Sequence, residues 1–308
     1  MDTELERFKI EVVLPEFAAA RGYFLDRRAS SRNSVVMRHP DGDKIIIARY
    51  EGTTHWVYCS VRDGRDNGTI VDFLQNRGVG SLGMVRKTLR DWLGTSRPTP
   101  QLPLFVQELL PISRDRAEVI AKWEKAAPCL SLPYLTGRGL GPDVLALPQF
   151  AGRVRVDRRH NALFPHYDKA GLSGFEVKNK GFTGFAAGGR KGLWYSRAKE
   201  TDRRLVLVES AIDAISFHVL FGDQHTRYMS TGGELNPQQP TLLRGAMEKL
   251  HPSADIVLGF DDDEGGEKIA KEVEAAAPAG RKLVRMRPDG GKDWNQVLQD
   301  RFRLDAGQ

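Results

Sequence analysis

Residues 255–266 read Asp255-Ile256-Val257-Leu258-Gly259-Phe260-Asp261-Asp262-Asp263-Glu264-Gly265-Gly266, and that order decides the architecture of the C-terminal third. A short apolar run without polar alternation is the pattern of a strand covered on both faces. It breaks into acids and glycines, and a helical pattern follows over about 265–276. The same unit occurs earlier, where Leu205-Val206-Leu207-Val208 gives way at Glu209 to a helix over about 211–220. Between them lie a strand near Tyr228, the turn Thr231-Gly232-Gly233, and a helix that starts near Pro237 and runs to 250. A last strand over 282–286 precedes a short helix from about Trp294. Strands alternating with helices of this length predict a parallel sheet with right-handed crossovers.

In such sheets ligands bind beyond the carboxyl ends of the strands. Glu209 follows the first strand of the unit, and Asp261 and Asp263 follow the third. Two strand ends therefore deliver acids to one edge. Asp213 stands one helical turn beyond Glu209 and can face the same site. Crowded carboxylates repel unless a cation neutralises them, and oxygen-only ligation favours Mg²⁺ or Mn²⁺. Such ions can neutralise charge developing in phosphoryl transfer. Gly265 and Gly266 allow close backbone approach and open a helix whose N-terminus favours anions. Taken singly, the same acids can cap the next helix or complement its dipole, and that alternative stays open.

Upstream, residues 128–202 are rich in Gly and Arg, with short strands expected around Val154 and Phe175. Thirteen Lys/Arg against five Asp/Glu between positions 152 and 204 give a local net of +8, against +6 for the whole chain. The remainder is slightly acidic, as for a polyanion-binding surface beside a metal site. His160 and His166 read as polar loop residues. Residues 95–111 carry four prolines and read as a linker, with a short helix over 114–127 after it. The N-terminal 94 residues begin with a helical pattern (Leu5, Phe8, Val12, Val13, Phe17) ending near Gly22. Strands over 34–38 and 44–49 flank the turn Pro40-Asp41-Gly42, and a third is expected over 55–59. A helix opens at 68–74 and another ends near Gly94.

No apolar run reaches the roughly 18 residues of a membrane helix. The acidic start MDTELERFKI lacks a secretory pattern, so a cytoplasmic protein is expected. Cys59 and Cys129 belong to no CxxC pair and read as two free thiols.

Three motifs carry a resemblance. They are Val208-Glu209-Ser210-Ala211-Ile212-Asp213-Ala214, the Asp261-Asp262-Asp263-Glu264-Gly265 element, and Gly291-Lys292-Asp293-Trp294-Asn295. In this order they resemble the Toprim superfamily of bacterial-type primases, topoisomerases and certain nucleases. Tyr134-Leu135-Thr136-Gly137-Arg138-Gly139-Leu140, the stretch from Phe164-Pro165 to Gly174-Phe175, and Lys191-Gly192-Leu193-Trp194 are similar to elements ahead of primase catalytic cores. This arrangement is also that of Toprim-linked proteins of plasmids and other mobile elements. Gly68 to Leu74 echoes the end of a primase zinc ribbon, but the ligands are missing. Arg62 stands where the partner of Cys59 would, and residues 37–40 offer only His39.

The resemblance implies an α/β fold in four parts: a degenerate, metal-free zinc-ribbon-like module (1–94), a Pro-rich linker and helix (95–127), a basic mixed α+β primase-core-like subdomain (128–202), and a Toprim-like parallel sheet flanked by helices (203–308). It implies a primase-like nucleotidyltransferase making short primers on single-stranded DNA from nucleoside triphosphates, in plasmid or mobile-element replication or transfer. A helicase or relaxase partner is part of that picture, and no membrane is. Glu209, Asp261 and Asp263 would be catalytic, and Glu209, Asp213, Asp261, Asp263 and Asp293 would bind Mg²⁺ or Mn²⁺, with no zinc expected. Arg138, Arg153, Arg155, Arg158, Arg159, Lys191 and Lys292 would hold nucleic acid or nucleotide, while His55, Trp56 and Tyr58 could stack bases. A Toprim nuclease or nicking enzyme, and a non-catalytic DNA-binding accessory factor, remain as alternatives. A topoisomerase would need a tyrosine nucleophile on another large domain, for which no room is expected.

Overall fold

The computed structural model describes residues 2–50, 54–63, 66–94, 102–103, 106, 109, 114–222 and 224–306. The chain divides into two compact units, Met1–Ser113 and Arg114–Gln308. Among the described residues no helix is long and apolar enough to cross a membrane.

The first unit is an antiparallel sheet of five strands in sequential order. They are β1 (Phe24–Leu25), β2 (Ser34–Arg38), β3 (Lys44–Arg49), β4 (Trp56–Ser60) and β5 (Asn67–Gly68). Alternate residues Val35, Met37, Ile45 and Ile47 join Phe8, Phe17, Phe73 and Leu89 in one core. The periodic N-terminal stretch is two helices, Thr3–Glu11 and Leu14–Ala19. Pro15 explains the break, because it has no N–H to continue the ladder and is tolerated only in the first turn of a new helix. Thr69 and Asp72 form a reciprocal capping box for the helix Ile70–Asn76, which fixes the start the sequence signalled. Most of the proline-rich 95–111 stretch lies outside the described residues, but Val106 and Leu109 are buried in this core. Trp56 and Tyr58 are 1% and 3% exposed, so they are core residues and offer no stacking surface.

In the second unit the helix Arg116–Glu124 leads into a five-stranded antiparallel sheet ordered β10-β9-β8-β7-β6. Its members are β6 (Ala127–Pro128), β7 (Arg155–Val156), β8 (Ala162–Asp168), β9 (Gly171–Asn179) and β10 (Phe182–Phe185). His166 lies within β8 and is fully buried, which corrects its reading as a polar loop residue. His160 does lie in a turn, with φ of 58°.

A second sheet runs β11-β13-β12-β14-β15: β11 (Trp194–Tyr195), β12 (Arg204–Val208), β13 (Thr226–Ser230), β14 (Asp255–Leu258) and β15 (Leu283–Arg285). All neighbours pair in parallel except β11, an antiparallel edge strand on β13. Period-two alternation sends Val206 and Val208 to a core shared with the helix Ala211–Phe221 and with Trp294 and Leu298. Leu205 and Leu207 point the other way, to a core with Leu243, Met247, Ile269 and Val273. The helices after β12 and β14 therefore cover opposite faces of adjacent strands. That arrangement opens a crevice at the carboxyl ends of β12 and β14, the topological switch point.

Candidate metal and phosphate site

Each carboxylate of the crevice is placed by a strand end or a helix cap. Glu209 follows β12, and its carbonyl accepts from the amides of Gly232 and Gly233 at 2.8 and 3.2 Å. Ser210 caps the next helix by accepting from the amide of Asp213. Its hydroxyl donates to Asp213 Oδ2 at 2.6 Å, while the Asn295 amide donates to Oδ1 at 3.2 Å. Beyond β14, Asp263 caps the helix Glu264–Ala276 and accepts from Gly266 N at 2.9 Å. Gly266 is required there, because a Cβ would meet the Asp261 carbonyl oxygen at 2.1 Å. Asp293 accepts from Gln296 N at 2.7 Å in front of the helix Trp294–Ala306. Capping and site-building are thus done by the same side chains.

Glu209, Asp213, Asp261 and Asp293 line one small cavity of about 200 Å³, together with Arg138 and Lys178. Asp263 is not among the lining residues, and Lys292 pairs with it at 3.1 Å. Burial and then the neighbouring charges of Asp213 and Asp263 push Glu209 up. Asp213 is raised by burial and by Asp293. Asp261, 8% exposed, is pushed up to about 8 by burial and by the charges of Asp213, Glu209, Asp293 and Asp263. Asp263 goes the other way, lowered chiefly by the Gly266 amide and also by Lys292. The Oδ1 atom of Asp261 is buried with no hydrogen-bond partner among the described residues. An acceptor left in that condition is costly, and a cation would relieve both the missing partner and the repulsion.

The donor set fits a hard divalent cation, since it consists of carboxylate oxygens alone. Among the described residues no group of three or more His, Cys, Asp or Glu is drawn in to ligand spacing. Asp213 is held by Ser210 and Asn295, and Asp263 by Gly266 and Lys292, which leaves Glu209 and Asp261 as the acids with the most freedom to close on an ion.

The basic residues divide sharply. Arg138 lines the cavity, lies over the Tyr134 ring at 5.1 Å, and donates to Asn295 Oδ1 at 2.8 Å. Lys191 donates to the Gly232 carbonyl at 2.9 Å and to that of Glu234. Burial pulls its pKa down. Arg155 is pinned to the Trp123 carbonyl and ring, and Arg153 lies over Tyr167 and Tyr195. Arg158 and Arg159 sit on an exposed turn whose Asp157 accepts from the Arg159 amide. Arg138, Lys191 and Lys292 are therefore gathered at the acids, and the other four are not.

Sequence reasoning missed Lys178. It lies in β9 and pairs at 2.9 Å with Glu176 Oε2, while Glu176 Oε1 accepts from His166 Nε2 at 2.9 Å. Burial pushes Glu176 up, but Lys178 and His166 outweigh it and hold the carboxyl at about 2. Two charges at i and i+2 on a strand share a face, and that spacing was the available signal.

Residues 206–298 match the family described as Toprim-like, and residues 133–202 match a family described as a protein of unknown function (DUF3991). A search of curated proteins gives no match. Among solved structures, the primase fragment of the bacteriophage T7 primase-helicase protein is 17% identical. That match covers 59% of this chain and 75% of that one, with a TM-score of 0.41. The T7 primase domains of gp4 bound to an RNA/DNA hybrid and dTTP beside the lagging-strand polymerase are 16% identical, covering 60% and 92%, at 0.41. For the RNA polymerase domain of the Mycobacterium tuberculosis primase DnaG the values are 17%, 48% and 58%, at 0.29. The Toprim-like match thus spans most of the C-terminal parallel sheet, with the DUF3991 match directly ahead of it.

Proposed function

We propose that this chain is a divalent-metal-dependent, primase-like nucleotidyltransferase that makes short primers on single-stranded DNA from nucleoside triphosphates, serving plasmid or mobile-element replication or transfer. One observation carries the reading. At the switch point of a Toprim-like sheet, buried acids converge on a cavity in which Asp261 Oδ1 has no partner among the described residues. A structural cluster would satisfy that atom, whereas a site built to receive a cation would leave it open.

Glu209, Asp261 and Asp263 would hold Mg²⁺ or Mn²⁺, with Asp213 and Asp293 flanking them. When bound, the ion supplies charge neutralisation for the phosphoryl group in transfer. Arg138, which lines the cavity, and Lys292, paired with Asp263, would orient phosphate oxygens as positive partners. Ser210 and Asn295 keep Asp213 from turning away, so the charge of the pocket stays fixed. A helicase or relaxase would be the natural partner for such an activity.

The test is primer synthesis on mixed-sequence single-stranded DNA with labelled nucleotides and Mg²⁺ or Mn²⁺, beside an Asp261→Ala/Asp263→Ala control. Short products that vanish in the control establish the activity. Nicked template without product moves the assignment to a nuclease. Equal DNA binding by both proteins without either reaction replaces it with an accessory factor.

A further inference from the structure

Lys178 is an unusual lysine. Its side chain is only 12% exposed, on a strand of the antiparallel sheet, yet it lines the cavity of Glu209, Asp213 and Asp261 on the Toprim-like sheet. Thr183, its partner across the strand pair, lines the same cavity. An ammonium has three N–H donors, and Glu176 Oε2 takes one at 2.9 Å.

Behind Lys178 the hydrogen bonds continue inward. Glu176 Oε1 faces His166 Nε2 at 2.9 Å, and His166 Nδ1 faces the Gly192 carbonyl at 2.8 Å. Both ring nitrogens of His166 therefore face oxygen atoms. Gly232, at φ of 68°, closes the chain from the other side. A Cβ there would stand 2.7 Å from the His166 ring and 3.1 Å from Glu176 Oε1, and the Gly232 amide donates to the Glu209 carbonyl. One turn thus touches both the metal-facing acid and the buried pair.

Burying a histidine and a carboxylate is expensive unless each is fully bonded, and here both are spent on the orientation of one ammonium. The geometry points to Lys178 as the residue that contacts a phosphate oxygen of the substrate in the acidic cavity, with Glu176 and His166 as buried positioning residues that hold it there. This rests on reading that cavity as the phosphate-handling site. The phosphate can belong to a nucleoside triphosphate or to the DNA backbone, and separate measurements tell the two apart.

The experiment is calorimetric titration of the full chain with ATP in Mg²⁺, and separately with a short single-stranded oligonucleotide. The variants are Lys178→Met, Lys178→Arg, Glu176→Gln and Glu176→Gln/Lys178→Met. We expect Lys178→Met to weaken one of the two ligands about tenfold, the scale of one hydrogen bond to a charged group, and Lys178→Arg to restore part of it. The ligand affected identifies the source of the phosphate. Because Glu176 acts through Lys178, its substitution weakens binding in the native background and adds nothing in the Lys178→Met background. A merely structural glutamate would give additive effects instead. Should Glu176→Gln alone fail to fold, the double variant, which buries neither charge of the pair, keeps the comparison with Lys178→Met available. Equal binding of both ligands by native protein and Lys178→Met overturns the inference, as does additivity for the positioning role. Absence of primer synthesis, with binding still weakened by Lys178→Met, would sink the primase reading and leave this one standing.

Discussion

Each unit contains a knot of charged side chains, and the two knots are built to opposite rules. In the first unit Arg77 pairs with Asp43 at 2.8 Å and Asp66 at 3.0 Å, Tyr23 donates to Asp43 at 2.5 Å, and Tyr58 donates to Asp66. The guanidinium lies 4.1 Å from the Phe73 ring centroid. Every carboxylate there has a cation and a phenol. In the second unit the acids face one another, and a buried carboxylate oxygen of Asp261 has no partner among the described residues. A closed knot crosslinks strands, while an open one stores repulsion that a ligand can release. The first unit is crosslinked by a single arginine.

The contrast breaks most readily at Asp261. Asp261→Asn should lower primer synthesis by about 100-fold or more, the scale of losing one electrostatic stabiliser, and leave Tm in chelator unchanged or higher. A fall in Tm would mean that Asp261 is structural like the first knot. Arg77→Ala should do the reverse, costing about 2–3 kcal/mol in the urea unfolding of the first unit. That is less than for a fully buried pair, because these side chains keep 18–21% exposure. Unchanged unfolding would remove the crosslink argument.

Cation addition sharpens the comparison next. Mn²⁺ at roughly thirty times its dissociation constant should stabilise the native protein by about 2 kcal/mol, seen as a thermal shift that Asp261→Asn/Asp263→Asn lacks. A shift of equal size in that variant would locate the ion elsewhere. A smaller effect concerns acid. Burial pushes Asp66 up, but the bonds from Tyr58 and Arg77 outweigh it and hold it below its usual value. Its contribution is therefore complete above the unfolded carboxylate range near 4 and is lost as pH falls below that. Hydrogen exchange in the first unit should accelerate in that window, and Arg77→Ala should flatten the dependence. Smallest of all is Asp262→Asn. This side chain is 51% exposed and paired, among the described residues, with Arg287 at 3.3 Å, so stability should move by less than about 0.5 kcal/mol. Primer synthesis should be unchanged, in contrast to its neighbours on either side.

The legible parts of the molecule were those written in contiguous residues. The apolar runs 205–208 and 255–258 become central strands because nothing else accommodates side chains buried on both faces. Since a strand end fixes where the next residue emerges, Glu209 and Asp261 could be assigned to one edge without coordinates. The antiparallel strand Trp194–Tyr195 was hidden in a two-residue stretch too short for any period to register. Arg77 gathers partners from positions 23, 43, 58 and 66, and no local spacing announces such a meeting. Lys178 and Arg155 look alike in a charge count. Only tertiary packing sends one to the acids and the other to the Trp123 carbonyl.

Gly232 holds a consequence for how this domain can vary. A library of all substitutions would meet a wall at that position, since even a methyl group collides with an imidazole that cannot retreat and demands a left-handed backbone as well. At Gly245, which has open space around it, the same library should pass almost any side chain. Two glycines thirteen positions apart, indistinguishable in composition, would mark the difference between a keystone and a vacant ledge.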